Sequence, residues 1–320
     1  MKPLKDKNPL VSVIIPNYNH AKYLDERIQS VLNQTYQNFE VIILDDVSTD
    51  NSRDVIEKYR NEPHVSKIVY NEHNSGSTFK QWLKGMALAK GDLIWIAESD
   101  DSCEKEMLEK LVEEFSKDEN LVLAFCNSMI IDENDTEKFI ARPTKWQITI
   151  RESGEKFIRN CLYLENIIYN ASSALFKKEV ALGIDRQYTQ YKGSGDWLFW
   201  IEICEQGNIS MLKEPLNKFR KHFGNVTTQL MCNGVQQIEN KYILEYLVVN
   251  KLISKYSKEK LRLHNLYMYE YKTPFQNEET KDNAIRVWEP TKIEKLYISV
   301  LYFLKKLKHK AKMVLKGQER

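Results

Sequence analysis

Val11-Ser12-Val13-Ile14-Ile15 is a short apolar, β-branched run, and Pro16-Asn17-Tyr18-Asn19 stops it. A run of that kind has the pattern of a strand buried on both faces, as strands of parallel sheets are. Outward from it, Leu24, Ile28, Val31 and Leu32 recur at helical spacing, and Val41-Ile42-Ile43-Leu44 is a second buried run. Val55, Ile56 and Tyr59 mark a short helix after the cap-rich Ser48-Thr49-Asp50-Asn51-Ser52. Lys67-Ile68-Val69-Tyr70 reads as a third strand. Phe79, Trp82, Leu83 and Met86 line one side of the next helix, which stops near Lys90-Gly91. Leu93 to Ala97 is a fourth strand, Leu108, Leu111, Val112 and Phe115 belong to a further helix, and Leu121 to Cys126 is a fifth strand. This alternation predicts an α/β fold: a mostly parallel sheet with helices on both faces. The later chain is less regular, with residues 236–262 and 292–316 reading as helices. A first domain over 1–230 and a helical C-terminal region over 231–320 are expected.

Composition agrees with a folded globular chain. Hydrophobic residues make up 42% and charged residues 29% of 320, which excludes disordered, collagen-like and small disulfide-framework classes. No stretch approaches the ~18–20 consecutive apolar residues of a membrane-spanning helix, and Met1 to Lys7 carries no apolar signal region. The five cysteines are scattered and never form a C-x-x-C pair, so reduced thiols in a cytoplasmic setting are expected. Residues 291–320 hold eight Lys and one Arg against two Glu, a basic tail on a mildly acidic body. The body shows no basic, aromatic-interleaved stripe, so no nucleic-acid partner is expected.

In sheets of this type ligands gather at the carboxyl ends of the strands. Three such ends carry unusual polar groups: Pro16-Asn17-Tyr18-Asn19, Asp45-Asp46, and Glu98-Ser99-Asp100-Asp101. Carboxylates crowded on one rim repel unless a cation or a cationic ligand group neutralises them. Hard divalent ions such as Mg²⁺ and Mn²⁺ take oxygen ligands; the same acidic tetrapeptide could instead cap the helix that follows. Tyr18 could stack on a flat heterocycle while Asp46 accepts from a ring N–H, or Tyr18 could be a half-buried loop aromatic. Asp196, between Gly193-Ser194-Gly195 and Trp197-Leu198-Phe199-Trp200, suits either a general base whose proton affinity is raised by desolvation or a helix N-cap. His222 in Phe219-Arg220-Lys221-His222 could meet a metal or a phosphate, though a lone histidine commonly does neither.

Taken in order, these pieces resemble the family 2 glycosyltransferases, inverting enzymes of the GT-A fold. The resemblance rests on Val11 to Asn19, Leu44-Asp45-Asp46-Val47-Ser48-Thr49-Asp50, Ala89-Lys90-Gly91-Asp92 with Glu98 to Asp101, and Gly195-Asp196-Trp197. It spans roughly residues 9–230. Two positions depart from the family pattern: Val47 stands where a glycine is usual, and Glu98 where an aspartate is. The resemblance implies a nucleotide-sugar donor with a uracil base, a Mn²⁺ or Mg²⁺ cofactor, and a hydroxyl of a glycan or lipid-linked molecule as acceptor. It implies that Pro16, Tyr18 and Asp46 meet the base, that Asp100 reaches the ribose or the metal, and that Asp101 holds the metal on the diphosphate. Asp196 falls at the catalytic base, and His222 near a position that helps hold metal or diphosphate. The candidate donor-binding set is therefore Pro16, Asn17, Tyr18, Asn19, Asp45, Asp46, Glu98 and Asp100, with Asp100, Asp101 and His222 as metal ligands. A nucleotidyltransferase is the competing enzyme class, but Asn17 to Tyr23 has no glycine-rich phosphate loop. A non-catalytic nucleotide-sugar binding module is the other alternative, and it would need no base at Asp196.

In the tail, Val300, Phe303, Leu304, Leu307, Ala311, Val314 and Leu315 fall on one helical stripe. Lys305, Lys308, Lys312 and Lys316 lie mainly opposite, with Lys306 and Lys310 towards a flank. Such a helix over 292–316 could lie on an anionic membrane surface at its cytoplasmic face, pack on the catalytic domain, or self-associate.

Overall fold

The computed structural model describes residues 8–141, 148–222 and 226–318, with side chains over 8–141, 148–222 and 229–307. The chain forms two compact units, Met1–Asn225 and Val226–Arg320, where the sequence placed a boundary at 230.

Unit 1 begins with the predicted alternation: β1 (Val11–Asn17), α1 (Ala21–Leu32), β2 (Phe39–Asp45), α2 (Ser52–Glu57), β3 (Val65–Tyr70), α3 (Thr78–Leu88) and β4 (Leu93–Ile96). A two-residue β5 (Ser102–Cys103), α4 (Met107–Lys117) and β6 (Leu121–Ile131) follow, then β7 (Glu137–Ile140), β8 (Ile150–Ser153) and α5 (Gly154–Phe157). The unit closes with β9 (Ala174–Lys177), α6 (Lys178–Gly183), α7 (Gly195–Cys204) and β10 (Asn208–Arg220). All the long strands join one sheet in the order β3-β2-β1-β4-β9-β6-β10-β5, with β7 on β6 and β8 on β10. β1 pairs in parallel with both β2 and β4, β2 with β3, and β6 with β10. The fifth predicted strand is longer than its apolar run suggested and does not adjoin β4, because antiparallel β9 from later in the chain lies between them. Pro16 is tolerated in the central β1 because β4 pairs with it only as far as Ile14↔Ile96, so no ladder bond on that side is lost.

The core is the sheet's inner face against the helices. Val11, Val13, Ile15, Val41, Ile43 and Trp95 pack with Leu24, Ile28 and Val31 of α1 and Leu108, Leu111 and Phe115 of α4. Gly91 turns the chain into β4 close against β1: a Cβ there would lie 2.5 Å from the Leu10 carbonyl oxygen. Its N–H donates to Ser12 Oγ at 2.8 Å. The Ala89-Lys90-Gly91-Asp92 stretch is thus a packing device beneath the sheet.

Unit 2 is helical: α8 (Val226–Cys232), α9 (Val235–Val249), α10 (Lys255–Tyr271), α11 (Glu278–Arg286) and α12 (Lys292–Gln318). The single helix expected over 236–262 is two, broken where Lys251 takes φ 57° and where Ser254 Oγ accepts from Ser257 N at 3.1 Å to cap α10. The first half of α12 docks on α10 through Glu294 (Arg262 Nε to Oε1, 2.6 Å), the buried Ile298, and Tyr302, stacked on Tyr271 at 4.2 Å. Ile293, Leu296, Tyr297, Val300, Phe303, Leu304 and Leu307 are left 47–80% exposed. The predicted stripe is therefore not the face that packs within this unit. Ala311, Val314, Leu315 and the lysines from Lys308 onward have side chains outside the described residues.

Candidate functional site

β1 and β2 end side by side, and their loops are sewn together by short polar side chains. Asn17 Nδ2 donates to Asp45 Oδ1 at 2.9 Å and to Ser48 Oγ at 3.1 Å, while Ser48 N donates to Asp45 Oδ2 at 3.1 Å. Asn19, at φ 57°, accepts from Thr49 N at 2.7 Å. Asp50 Oδ2 accepts from Ala21 N at 2.8 Å, placing a carboxylate at the N-terminus of α1, where the helix dipole favours it. Asn17 and Asp45 are thus buried shapers of the loop, as is Pro16 within β1. Tyr18 is the side chain the loop presents, 49% exposed.

Asp46 does not offer the open carboxylate expected of it. It is buried and accepts from Asn71 Nδ2 at 2.6 Å, Ser75 Oγ at 2.7 Å, Ser75 N at 2.9 Å and Gln81 Nε2 at 3.1 Å. A ring N–H reaching it would have to replace one of these donors, since a carboxylate has about four acceptor positions.

Beyond β4, the tetrapeptide Glu98 to Asp101 divides into members with different surroundings. Glu98 accepts from Trp82 Nε1 at 2.8 Å; burial, and then the charge of Asp100, push its carboxyl up to about 8. Asp101 is 1% exposed. It accepts from Ser172 Oγ at 2.6 Å, from Arg220 N at 3.0 Å and from Asn170 Nδ2, with the Arg27 guanidinium 3.9 Å away. In this structure its oxygens, which the sequence offered to a metal, hold three segments of chain together. Burial raises its carboxyl, and the neighbouring Asp100 charge adds to the rise.

Asp100 converges instead with His222 and His20. One ligand atom from each lies within 4.8 Å of the others. His222 Nε2 is 3.1 Å from Asp100 Oδ2, and that hydrogen bond raises the imidazole above its ordinary value. Burial works against ionisation of Asp100, yet the His222 hydrogen bond and the two imidazoles hold its carboxyl below the usual range. Burial lowers His20, whose Nδ1 is 2.8 Å from Ser99 Oγ. Two imidazole nitrogens and a carboxylate oxygen in such proximity form a donor set that fits a first-row divalent cation.

Sequence reading missed three participants. His20 sits directly after Asn19, but nothing in its spacing marks it. Arg27 occupies the apolar stripe of α1 between Leu24 and Ile28, and a charged residue there was a legible sign of a buried partner. It is fully buried and donates from Nε to the Glu98 carbonyl at 2.9 Å. Arg220, also fully buried, donates from Nε to the Asp100 carbonyl at 2.8 Å and pairs with Glu26 at 2.6 Å and with Asp135. These two guanidiniums brace the backbone of the tetrapeptide at Glu98 and at Asp100.

Asp196 is half-buried in the first turn of α7, whose N-cap is Ser194, and its Oδ1 accepts from Trp197 N at 2.8 Å, so it also satisfies a backbone N–H at the start of the helix. Asn166 Nδ2 donates to Asp196 Oδ2 at 2.8 Å. Asn166 lies four residues before Asn170, which holds Asp101. Four residues span at most about 14 Å, so the segment ties Asp196 to the rim that carries the imidazoles.

The model of the family described as Glycosyl transferase family 2 matches residues 12–183. TuaG of Bacillus subtilis, named for teichuronic acid biosynthesis, is 34% identical over 156 residues, 48% of this chain and 60% of TuaG. Glycosyltransferase GlyG of Streptococcus pneumoniae is 36% identical over 127 residues, 39% of this chain and 41% of GlyG. The match therefore spans less than two thirds of either relative. Among solved structures, S. aureus TarS 1–349 in complex with UDP-GlcNAc superposes with a TM-score of 0.65 at 20% identity, covering 87% of this chain and 80% of that one. The mannosyltransferase PcManGT of Pyrobaculum calidifontis, in complex with GDP-Man and Mn²⁺, gives 0.59 at 14% identity, covering 95% and 82%. Those likenesses are of fold. With the family's pattern matched across more than half its length, on the strands and loops that build this rim, the chain belongs to glycosyl transferase family 2.

Proposed function

We propose that this protein transfers a sugar from a uridine-diphosphate donor to a hydroxyl of a glycan or lipid-linked acceptor, with inversion at the anomeric carbon and with Asp196 as general base. The observation that carries the reading is the convergence of His20, Asp100 and His222 on the rim, with Asp196 tethered to it through Asn166. Tyr18 supplies an exposed ring for the base, and Pro16, Asn17, Asn19 and Asp45 set the loop that holds it. The UDP and UDP-GlcNAc complexes of TarS support a uridine donor, and the GDP-Man complex of PcManGT makes guanosine sugars the comparison to run.

His20, Asp100 and His222 would hold Mn²⁺ or Mg²⁺. When bound, such an ion stabilises the negative charge that gathers on the leaving diphosphate. The acceptor hydroxyl is too weak an acid to attack unaided, so Asp196 takes its proton as the new bond forms. Asn166 Nδ2 and Trp197 N, each 2.8 Å from an Asp196 oxygen, orient that carboxylate. A single base suffices, because attack opposite the leaving group needs no covalent sugar–enzyme intermediate.

Thermal-shift titration with UDP, GDP and dTDP sugars in the presence of Mn²⁺ tests the donor, since a ligand that binds the native state raises the melting point. A rise with uridine sugars above the others is expected; no rise with any of them removes the donor reading. Asp196→Asn should keep that rise and lose transfer by about 10²–10⁴-fold. Retained transfer would move the base elsewhere.

A further inference from the structure

We propose that Tyr169 is the platform on which a pyranose ring of the acceptor stacks, so that the group receiving the sugar is itself a saccharide. The inference rests on the transfer reading above and deepens it by assigning the acceptor side. Tyr169 is 37% exposed although the chain on both sides of it is fixed. Three residues earlier Asn166 holds Asp196, and Ile167 and Ile168 between them are buried. One residue later Asn170 donates to Asp101 and accepts from Asn217 Nδ2 at 2.9 Å, and Ala171 is buried. The Tyr169 ring lies 6.4 Å from that of Phe219, inclined at 64°. A segment pinned at both ends thus turns one aromatic ring outward, a preorganised surface that loses little entropy when a ligand settles on it.

Sheet topology separates this ring from the nucleoside. β9 runs antiparallel to β4 and β6, so the segment that leads into it arrives at the edge where β4 ends. β10 is parallel to β6, so Phe219, near its end, reaches that same edge. From β1, whose loop presents Tyr18, the order β1-β4-β9-β6-β10 takes four strand spacings to reach β10, about 19 Å at about 4.8 Å each. Tyr18 and Tyr169 therefore stand on opposite halves of the rim, and a base on the first leaves the second to another ligand group. That group is the acceptor, because the Tyr169 segment holds Asp196, which must touch the acceptor hydroxyl. Three residues span at most about 11 Å, so a saccharide at Tyr169 brings its hydroxyls towards that carboxylate. A pyranose has apolar C–H faces and a rim of hydroxyls; an aromatic ring covers the face and leaves the rim free to react.

The test uses the whole chain with UDP and Mn²⁺ and, as probes, the methyl glycosides of glucose, galactose, mannose and N-acetylglucosamine. Saturation-transfer NMR should show contact between the native protein and the ring protons of at least one probe. Tyr169→Ala should weaken that probe about tenfold, which is about 1.4 kcal/mol. Tyr169→Leu, which fills space without an aromatic face, should weaken it likewise, and Tyr169→Phe should keep the native affinity. The thermal shift given by the donor should be the same in all three variants as in the native chain, and circular dichroism verifies their fold. No contact with any probe, native affinity in the leucine or alanine variant, or loss of the donor shift in a folded variant would overturn the acceptor role. A native chain that no nucleotide sugar stabilises removes the transfer reading, and this inference with it. A native chain stabilised by donor but silent towards every probe removes this inference alone.

Discussion

Val47 stands at φ 65°, in the left-handed region that costs a residue with a Cβ about 1–2 kcal/mol and that a β-branched side chain fits worst. Glycine, usual at this place in similar sequences, avoids that cost but surrenders about 0.5–1 kcal/mol of chain entropy. Val47→Gly should therefore stabilise unit 1 by about 1 kcal/mol, a rise of about 2–4 °C in melting temperature; an unchanged melt would mean the loop relieves the strain by another route. Asp101 illustrates the opposite case. Its surroundings predict that Asp101→Ala destabilises the fold by about 3–5 kcal/mol, because Arg27 would be left buried without its carboxylate. Urea denaturation measures this, and an unaltered midpoint would show the brace to be dispensable. The sequence offered Asp101 as a strand-end carboxylate for a metal, since residue type says nothing of the donors that Ser172, Asn170 and Arg220 bring to it.

Two helices of unit 1, α1 and α4, carry a charged side chain, Arg27 and Glu114, into the core, and each ties elements together. Glu114 of α4 is 2% exposed; Arg151 of β8 grips it through Nε and Nη2 at 2.6 and 2.8 Å, and Ser210 of β10 donates to it at 2.6 Å. Burial works to raise its pKa, but the hydrogen bonds from Arg151, Lys117 and Ser210 overcome this and hold it at about 2. A carboxyl depressed in the folded state contributes stability above its unfolded pKa of about 4.3. That contribution is lost as pH falls towards 2. Unfolding free energy should thus decline between about pH 5 and pH 2, and Glu114→Gln should flatten that decline while lowering stability at neutral pH. Parallel acid profiles for the two proteins would refute the assignment. The helices themselves were legible from apolar spacing; the partners of Arg27 and Glu114 were not, because they lie 71 and 37 residues away.

For the molecule as a whole, α12 presents the main unspent surface. Seven apolar side chains from Ile293 to Leu307 are exposed on it while its other face grips α10. From Lys305 to Lys316 the sequence has six lysines and no carboxylate. Pairing two such helices side by side would bring like charges together, whereas an anionic leaflet attracts each lysine by about 1 kcal/mol. No helix among the described residues is long and apolar enough to cross a membrane, so α12 would lie along the surface. The intact chain should co-sediment with liposomes rich in anionic lipid, salt-dependently, and deletion of residues 292–320 should abolish this. Equal co-sedimentation after deletion, or concentration-dependent dimerisation without lipid binding, would defeat the membrane reading.

What the sequence determined by itself was the alternation of buried strands and amphipathic helices and the rim of strand ends that carries Tyr18 and Asp100. Apolar periodicity is local and is written residue by residue, so it survives reading in one dimension. Tertiary structure alone decided that β9 divides β4 from β6, that α9 and α10 are separate helices, and that Asp101 and Asp46 are already engaged. It alone brought His20 and His222 beside Asp100, from which they stand 80 and 122 positions away in the chain. Which carboxylate stays available for a ligand depends on whether donors from distant segments saturate it, and that is a property of packing in three dimensions, not of the motif that contains it.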